Sequence, residues 1–295
     1  MTQINEFLNE IEWQKWQTSH KLFVLLDCAQ LSNEERRSIQ DLDSIVRIGL
    51  FKGTVDEGLV EVEPLLLDPL NIKTSHGLSW LIENEKTTPM LVWLVSNMPI
   101  SELAGRLRTL LSADLPDARN ALLRYYDPRV FNKLMQVLDA NQKSEFFNLA
   151  QQWWAWHKPS SKRQSYIAPA VKVQPVEKIV LSPLQIQAFN QMDLDDFVQN
   201  TKAEMVRNKK DRQHTKNLSD ADVERHVSEH INKAMTFGFE SEETVVEYLL
   251  HIATDLGWEF EEKNLGDVVS TLQDEGLTED DKLAVLKNAS ATLLI

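Results

Sequence analysis

Leu123-Arg124-Tyr125-Tyr126-Asp127-Pro128-Arg129-Val130 is the stretch that decides how the first half of the chain is read. Asn120 to Tyr126 has the texture of a strand, and Asp127-Pro128 then opens a helix. Asp127 is suited to accept from the orphan N–H groups of the first turn. Pro128 stands at the first helical position, where its missing N–H costs nothing. A strand that runs straight into a capped helix belongs to a lobe in which the two alternate. Arg129 calls for a carboxylate, and Asp27, at the end of an earlier apolar run, is the candidate.

Upstream of that step, three apolar runs have strand length: Leu22 to Leu26, Ile45 to Phe51 and Leu59 to Leu67. Ile4, Phe7, Leu8, Ile11 and Trp16 recur at helical spacing, and the charged stretch Asn33 to Leu42 reads as a helix or helical turn. Leu78 to Asn84 is helical, Met90 to Ser96 a buried strand. Ser101 caps a helix whose stripe is Leu103, Leu107, Leu110 and Leu111, with Arg106 and Arg108 turned away. Downstream, Lys143 to His157, with Phe146, Phe147, Leu149, Trp153, Trp154 and Trp156, reads as an aromatic-rich closing helix.

The texture then changes. Residues 158–181 hold Pro159, Pro169 and Pro175 with few large apolar groups, which is the composition of a linker. Beyond it almost nothing alternates like a strand. The segments 183–192, 195–208, 220–237, 241–256, 265–275 and 279–291 read as helices, with Gly238 and Gly257 at helix ends. The expected fold is an α/β N-terminal lobe over 1–157, with a mixed sheet and flanking helices, then a linker over 158–181 and an all-α helical bundle over 182–295.

Composition narrows the function. The 295 residues carry a formal net charge of −14, which repels phosphate backbones and anionic membranes, so neither nucleic acid nor membrane is an expected partner. Cys28 is the single cysteine, which excludes an intramolecular disulfide and Cys-based zinc sites. The N-terminus has Glu6, Glu10 and Glu12 where a signal peptide is neutral, and no apolar run approaches the roughly 20 residues of a membrane-spanning helix.

Several segments together resemble the type VI secretion adaptor or chaperone proteins, often called Tap or TEC. They are Leu25-Leu26-Asp27 followed by Cys28-Ala29, the Glu63 to Leu66 step, the helix and strand around Trp80 and Trp93, the Leu-rich helix from Ser101, and above all residues 123–130. Tyr126, Asp127 and Pro128 carry the family's aromatic-Asp-Pro-Arg step, and Asp27 its strand end. The chain departs at Cys28, where the family usually has glycine, and in lacking a Trp-Gly-Arg-like step before Met90. The resemblance covers about the first half, and Ala234 to Gly257 is similar to the helical region that often follows. It implies a cytoplasmic protein that binds a cognate effector, helps to load it onto the VgrG spike, and needs no cofactor.

Other motifs compete with that reading. His226-Val227-Ser228-Glu229-His230 matches the H-x-x-E-H pattern, which on a helix puts two imidazoles on one face with Glu229 beside them, so a zinc-dependent hydrolase is the alternative. No third ligand is marked, and His230 falls in the apolar stripe of Val223, Val227 and Ala234, so no metal is expected. Arg207 to Lys216 is a basic cluster without aromatic residues, which reads as a solvated segment rather than a single-strand platform. Cys28 has no base partner in sequence. Arg124, Arg129, Trp153, Trp154 and Trp156 are the candidate partner-binding residues, because arginine and tryptophan dominate interface energetics. No catalytic residue is expected.

Overall fold

Leu22-Phe23-Val24-Leu25-Leu26 is apolar at every position, which suits a strand covered on both faces. In the computed structural model, which describes residues 2–32, 34–36, 46–69, 76–168, 178–259 and 266–293, this run is the heart of β1 (Lys21–Leu26). The other strands are β2 (Val46–Gly49), β3 (Leu65–Asp68), β4 (Leu91–Ser96), β5 (Ser112–Asp114), β6 (Asn120–Leu122), β7 (Gln152–His157), β8 (Lys162–Ile167) and β9 (Ile179–Val180). Among the described residues, six strands form one sheet in the order β2-β3-β1-β4-β7-β8, antiparallel at every step. A second, mixed sheet pairs β5 antiparallel with β6 and parallel with β9.

Period-two alternation sorts the large sheet into two layers. Phe23 and Leu25 share one face with Val92, Leu94, Trp153 and Ala155, under α3 (Ile100–Thr109), α4 (Pro128–Val137) and α5 (Ala140–Leu149). Leu22, Val24 and Leu26 face the other way with Leu91, Trp93, Val95 and Trp154, under α1 (Thr2–Glu10) and α2 (His76–Asn84). Helices therefore cover both faces, and β1 and β4 have no wet side.

The expected closing helix over 143–157 is corrected. α5 ends at Leu149, and the tryptophans lie on β7. A helix cannot bury three such neighbours on one narrow face, whereas a strand sends Trp153 and Trp154 to opposite layers. The linker reading is corrected in part, since residues 162–167 form β8 against β7, and Ile179 and Leu181 enter the first core layer. Residues 169–177 lie outside the described residues, as does most of the expected helix over 33–42. The expected strand over 59–67 begins only at Leu65, after a single 3-10 turn at Val60–Val62.

The chain divides into two compact units, residues 1–189 and 190–295. The second is helical: the later turns of α6 (Pro183–Arg207), then α7 (Asp220–Thr236), α8 (Glu242–His251) running into a π-turn at Ile252–Leu256, α9 (Gly266–Leu272) and α10 (Glu279–Leu293). The helices expected over 183–192 and 195–208 are thus one. Ser219 and Ser241 cap α7 and α8 by accepting from Asp222 N and Thr244 N at 3.1 Å. Lys282 is buried because its ammonium donates to the Phe237 carbonyl at 2.6 Å, placing a cation at the C-terminus of α7 where the helix dipole favours one.

One buried charge cluster holds α1, α2 and β8 to the sheet. Arg163 points inward from β8, ion-paired to Glu85 after α2 and to Glu10 of α1, with its guanidinium 4.6 Å from the Phe7 ring centre. Trp93 Nε1 donates to Glu85 at 3.2 Å. Burial pushes the Glu85 carboxyl up to about 7 against the pull of Arg163. Removing the guanidinium leaves a buried carboxyl with no counter-charge, so Arg163→Met should cost about 3–5 kcal/mol, and Glu85→Gln/Arg163→Met should recover much of it in urea unfolding. A raised acid pKa means that the folded state holds the proton longer. The stability contributed by Glu85 is therefore present below the ordinary glutamate range and lost as pH rises toward 7, and Glu85→Gln should remove that slope.

Candidate functional site

At the C-terminal end of β1 the buried strand must give way to polar backbone, and Asp27 manages the change. Its N–H donates to the Met90 carbonyl at 2.9 Å, and its carboxylate accepts from Ala29 N at 3.1 Å and Gln30 Nε2 at 3.3 Å, shaping the 3-10 turn Cys28–Gln30. Asp127 does the corresponding work at α4, where it is the N-cap. Its Oδ1 accepts from Arg129 N at 2.9 Å, and the Arg129 side chain returns through Nε at 3.0 Å and Nη2 at 2.7 Å, a two-pronged pair. The turn entering the helix closes with Asp127 N donating to the Arg124 carbonyl at 2.9 Å.

Arg124 joins the two carboxylates. Its Nη2 donates to Asp27 Oδ2, 97 positions earlier in the chain, at 3.1 Å and to Asp127 Oδ2 at 3.3 Å. Both aspartates are fully buried, while the Arg124 and Arg129 side chains are 39 % and 51 % exposed. Two positive and two negative charges cancel locally, and only the positive partners reach the surface. Burial, followed by repulsion from Asp127, holds the Asp27 carboxyl above its ordinary value against the pull of Arg124. Burial with the nearby Asp27 charge lifts the Tyr126 hydroxyl to about 12.

The expected pairing of Arg129 with Asp27 is corrected: Arg129 serves Asp127, and Arg124 serves Asp27. Sequence spacing does not show this, because the side chain that crosses to β1 leaves the turn before the cap. Tyr126 and Pro128 are buried as the step requires, with the Tyr126 ring edge-on to Phe51 at 6.4 Å. Tyr125 anchors the neighbouring side by donating from its hydroxyl to the Leu107 carbonyl at 2.8 Å.

Of Trp153, Trp154 and Trp156, the first two are corrected as partner-binding candidates. All three are buried in the first unit, and Trp153 Nε1 donates to the Phe146 carbonyl at 3.2 Å. Trp153 and Trp154 belong to the two core layers, whereas Trp156 lies in neither and lines a surface pocket with Glu10 and Arg163.

In the helical unit both ring nitrogens of His230 are engaged, Nδ1 with the Tyr248 hydroxyl at 3.1 Å and Nε2 with the Trp258 carbonyl at 2.8 Å. The carbonyl only accepts, so the neutral ring donates from Nε2 and takes the tyrosine proton at Nδ1. The one basic lone pair of that tautomer, at Nδ1, is thus engaged by the tyrosine hydroxyl. His226 stacks on Trp258 at 5.1 Å, and Glu229 pairs with Arg225. Among the described residues no group of three His, Cys, Asp or Glu side chains is placed to hold a metal ion. Part of the basic cluster is used internally, as Lys209 binds Asp220 and the Leu218 carbonyl. Burial, reinforced by Asp27, pushes the Cys28 thiol up to about 12, far from thiolate chemistry. Among the described residues no helix is long and apolar enough to cross a membrane.

Residues 22–145 match the model of a family described as a domain of unknown function, DUF4123, so the match begins in β1 and spans the whole Arg124 corner. No curated protein and no solved structure matches the chain.

Two outcomes test the corner. Asp127→Ala should lose about 1–2 kcal/mol through the cap alone, with more from stranding Arg129. Asp27 has its pKa raised in the folded state, so the stability it contributes is present near and below its ordinary value of 3.8 and lost as pH rises through the elevated one. Asp27→Asn should flatten that part of the profile in urea unfolding across acid to neutral pH.

Proposed function

We propose that this chain is an adaptor of the type VI secretion system. In the cytoplasm of the producing cell it binds a cognate effector as a chaperone and promotes its loading onto the VgrG spike. The observation that carries the reading is the family match over 22–145 together with the residues it encloses. The Leu25-Leu26-Asp27 strand end and the Tyr126-Asp127-Pro128-Arg129 step, on which the resemblance rests, lie about 100 residues apart in sequence and meet through Arg124.

The role is binding, without catalysis and without a cofactor. A buried His230 committed at both nitrogens and a Cys28 thiol held protonated support that, because each removes a group that hydrolytic chemistry would draw on. The net charge of −14 favours protein partners over nucleic acid or anionic lipid. Arg124 and Arg129 are the exposed cations offered to such a partner.

Co-purification tests this. The tagged chain, co-expressed with the toxin encoded beside it and with VgrG, should retain the toxin, and the toxin should reach VgrG only in its presence. A toxin that reaches VgrG equally without this chain sinks the adaptor role.

A further inference from the structure

The run Leu59 to Leu67 has the apolar texture of a buried strand, yet its first residues are not buried. Val60 is 72 % exposed and Leu59 52 %, and Val55, five residues before Val60, is fully exposed. These three aliphatic side chains sit on the connection between β2 and β3. Loops that carry large apolar groups into water normally collapse onto the protein or stay loose enough to hide them. This one is built to do neither.

Its base is pinned from several sides. Phe51 is buried in the first core layer, Leu50 N donates to the Pro64 carbonyl at 3.0 Å, and Phe51 N donates to the Glu63 carboxylate at 2.8 Å. That carboxylate lies so close over Gly49 that a Cβ there would come within 2.2 Å of it. Arg108 reaches from α3 to the Gly49 carbonyl at 2.8 Å. Successive turns then fix the tip: Thr54 Oγ1 donates to the Phe51 carbonyl at 2.7 Å, Leu59 N to the Asp56 carbonyl at 2.9 Å, and Val62 N to the Leu59 carbonyl at 3.1 Å. The loop is ordered before any partner arrives, which spares a complex the entropy of ordering it.

Charge and place say what it fits. Glu63 is spent on the base of the loop, but Asp56, Glu57 and Glu61 stand around the aliphatic tip against Lys52, with Glu61 88 % exposed although Arg36 approaches it at 3.9 Å, so the tip carries net negative charge. The turn Val60–Val62 packs on the turn Cys28–Gln30 beside Asp27, and Phe51 touches Tyr126, so the tip is continuous with the Arg124 corner. We propose that the 51–63 loop is the docking knob of the first unit, and that its occupant is an apolar pocket rimmed with lysine or arginine on the cargo protein. This rests on the adaptor reading above. Leu59, Val60 and Val55 enter the pocket, and Asp56, Glu57 and Glu61 steer and align the basic rim.

The test uses the full chain and the tagged toxin encoded beside it. Val55→Ser/Leu59→Ser/Val60→Ser should leave the Tm close to the wild-type value, because the three side chains stand mostly in water and none belongs to a core layer, and should weaken toxin binding about tenfold or more. Asp56→Lys/Glu57→Lys/Glu61→Lys should also weaken it, and the wild-type affinity should fall with added salt while this variant's does not. Toxin binding by the wild type that survives the apolar triple variant unchanged overturns the knob and leaves the adaptor role standing. Failure of the wild type to bind the toxin overturns both. A wild-type dimer that becomes monomeric in the triple variant overturns it too, since the occupant is then a second copy of this chain.

Discussion

The central strands are dry on both sides, and most of the first unit follows from that. Every residue of β4 and all but the first of β1 is buried, so neither strand has a face on which to carry polar chemistry. Polar groups can appear only where such strands end or where a charge is buried with its partner. Both solutions are present. Asp27 stands at the end of β1 and is met by Arg124, while Arg163 enters from the edge strand β8 and is met by Glu85 and Glu10. An inward-pointing arginine on an edge strand also discourages a further strand from adding there.

The two ionic groups differ in what they do for the fold. The Glu85 cluster ties α1, α2 and β8 together behind the sheet, with its carboxyl and guanidinium sealed from water. At the Asp27 corner the carboxylates are sealed while the guanidinium groups emerge. The first arrangement reaches water only through Glu10, whose side chain is 46 % exposed. The second leaves half of each arginine available without leaving a buried charge uncompensated, which is the condition under which an interface arginine contributes to binding rather than losing to desolvation.

Legibility in the sequence tracks how local the deciding physics is. The Asp127-Pro128 cap, the helix ends at Gly238 and Gly257 and the β1 and β4 runs were readable, because each depends on a few neighbouring residues. The mixed α/β lobe and the helical tail followed from them. Residues 143–157 were not readable as helix then strand, because a tight sequence of tryptophans fits either period until the neighbouring β4 and β8 choose the strand. The Arg124 bridge and the Arg163 cluster were hidden for a different reason: their partners are 97 and 78 residues away, and no spacing rule spans such distances. Asp27 was given the wrong arginine because Arg129, two residues past Asp127, completes the cap, and Arg124, three residues before it, is free to cross.

Leu59 and Val60 mark the place where pattern and structure part most sharply. Their texture asks for burial, the chain gives them a pinned turn in water, and neither belongs to a core layer of the unit. A sequence that conflicts with its own fold at a rigid, exposed point usually does so because something outside the fold is part of the arrangement. Continuity with the Arg124 corner strengthens that logic, since one edge of the molecule then offers aliphatic contact, carboxylates and half-exposed guanidinium groups together. An apolar centre within a charged surround is how a protein surface combines affinity with choice of partner. Other aliphatic side chains of the first unit also reach water, among them Ile167, Val180 and Leu184, but the 55–60 tip holds three of them within six residues on a turn whose base is tied down by Glu63 and Arg108.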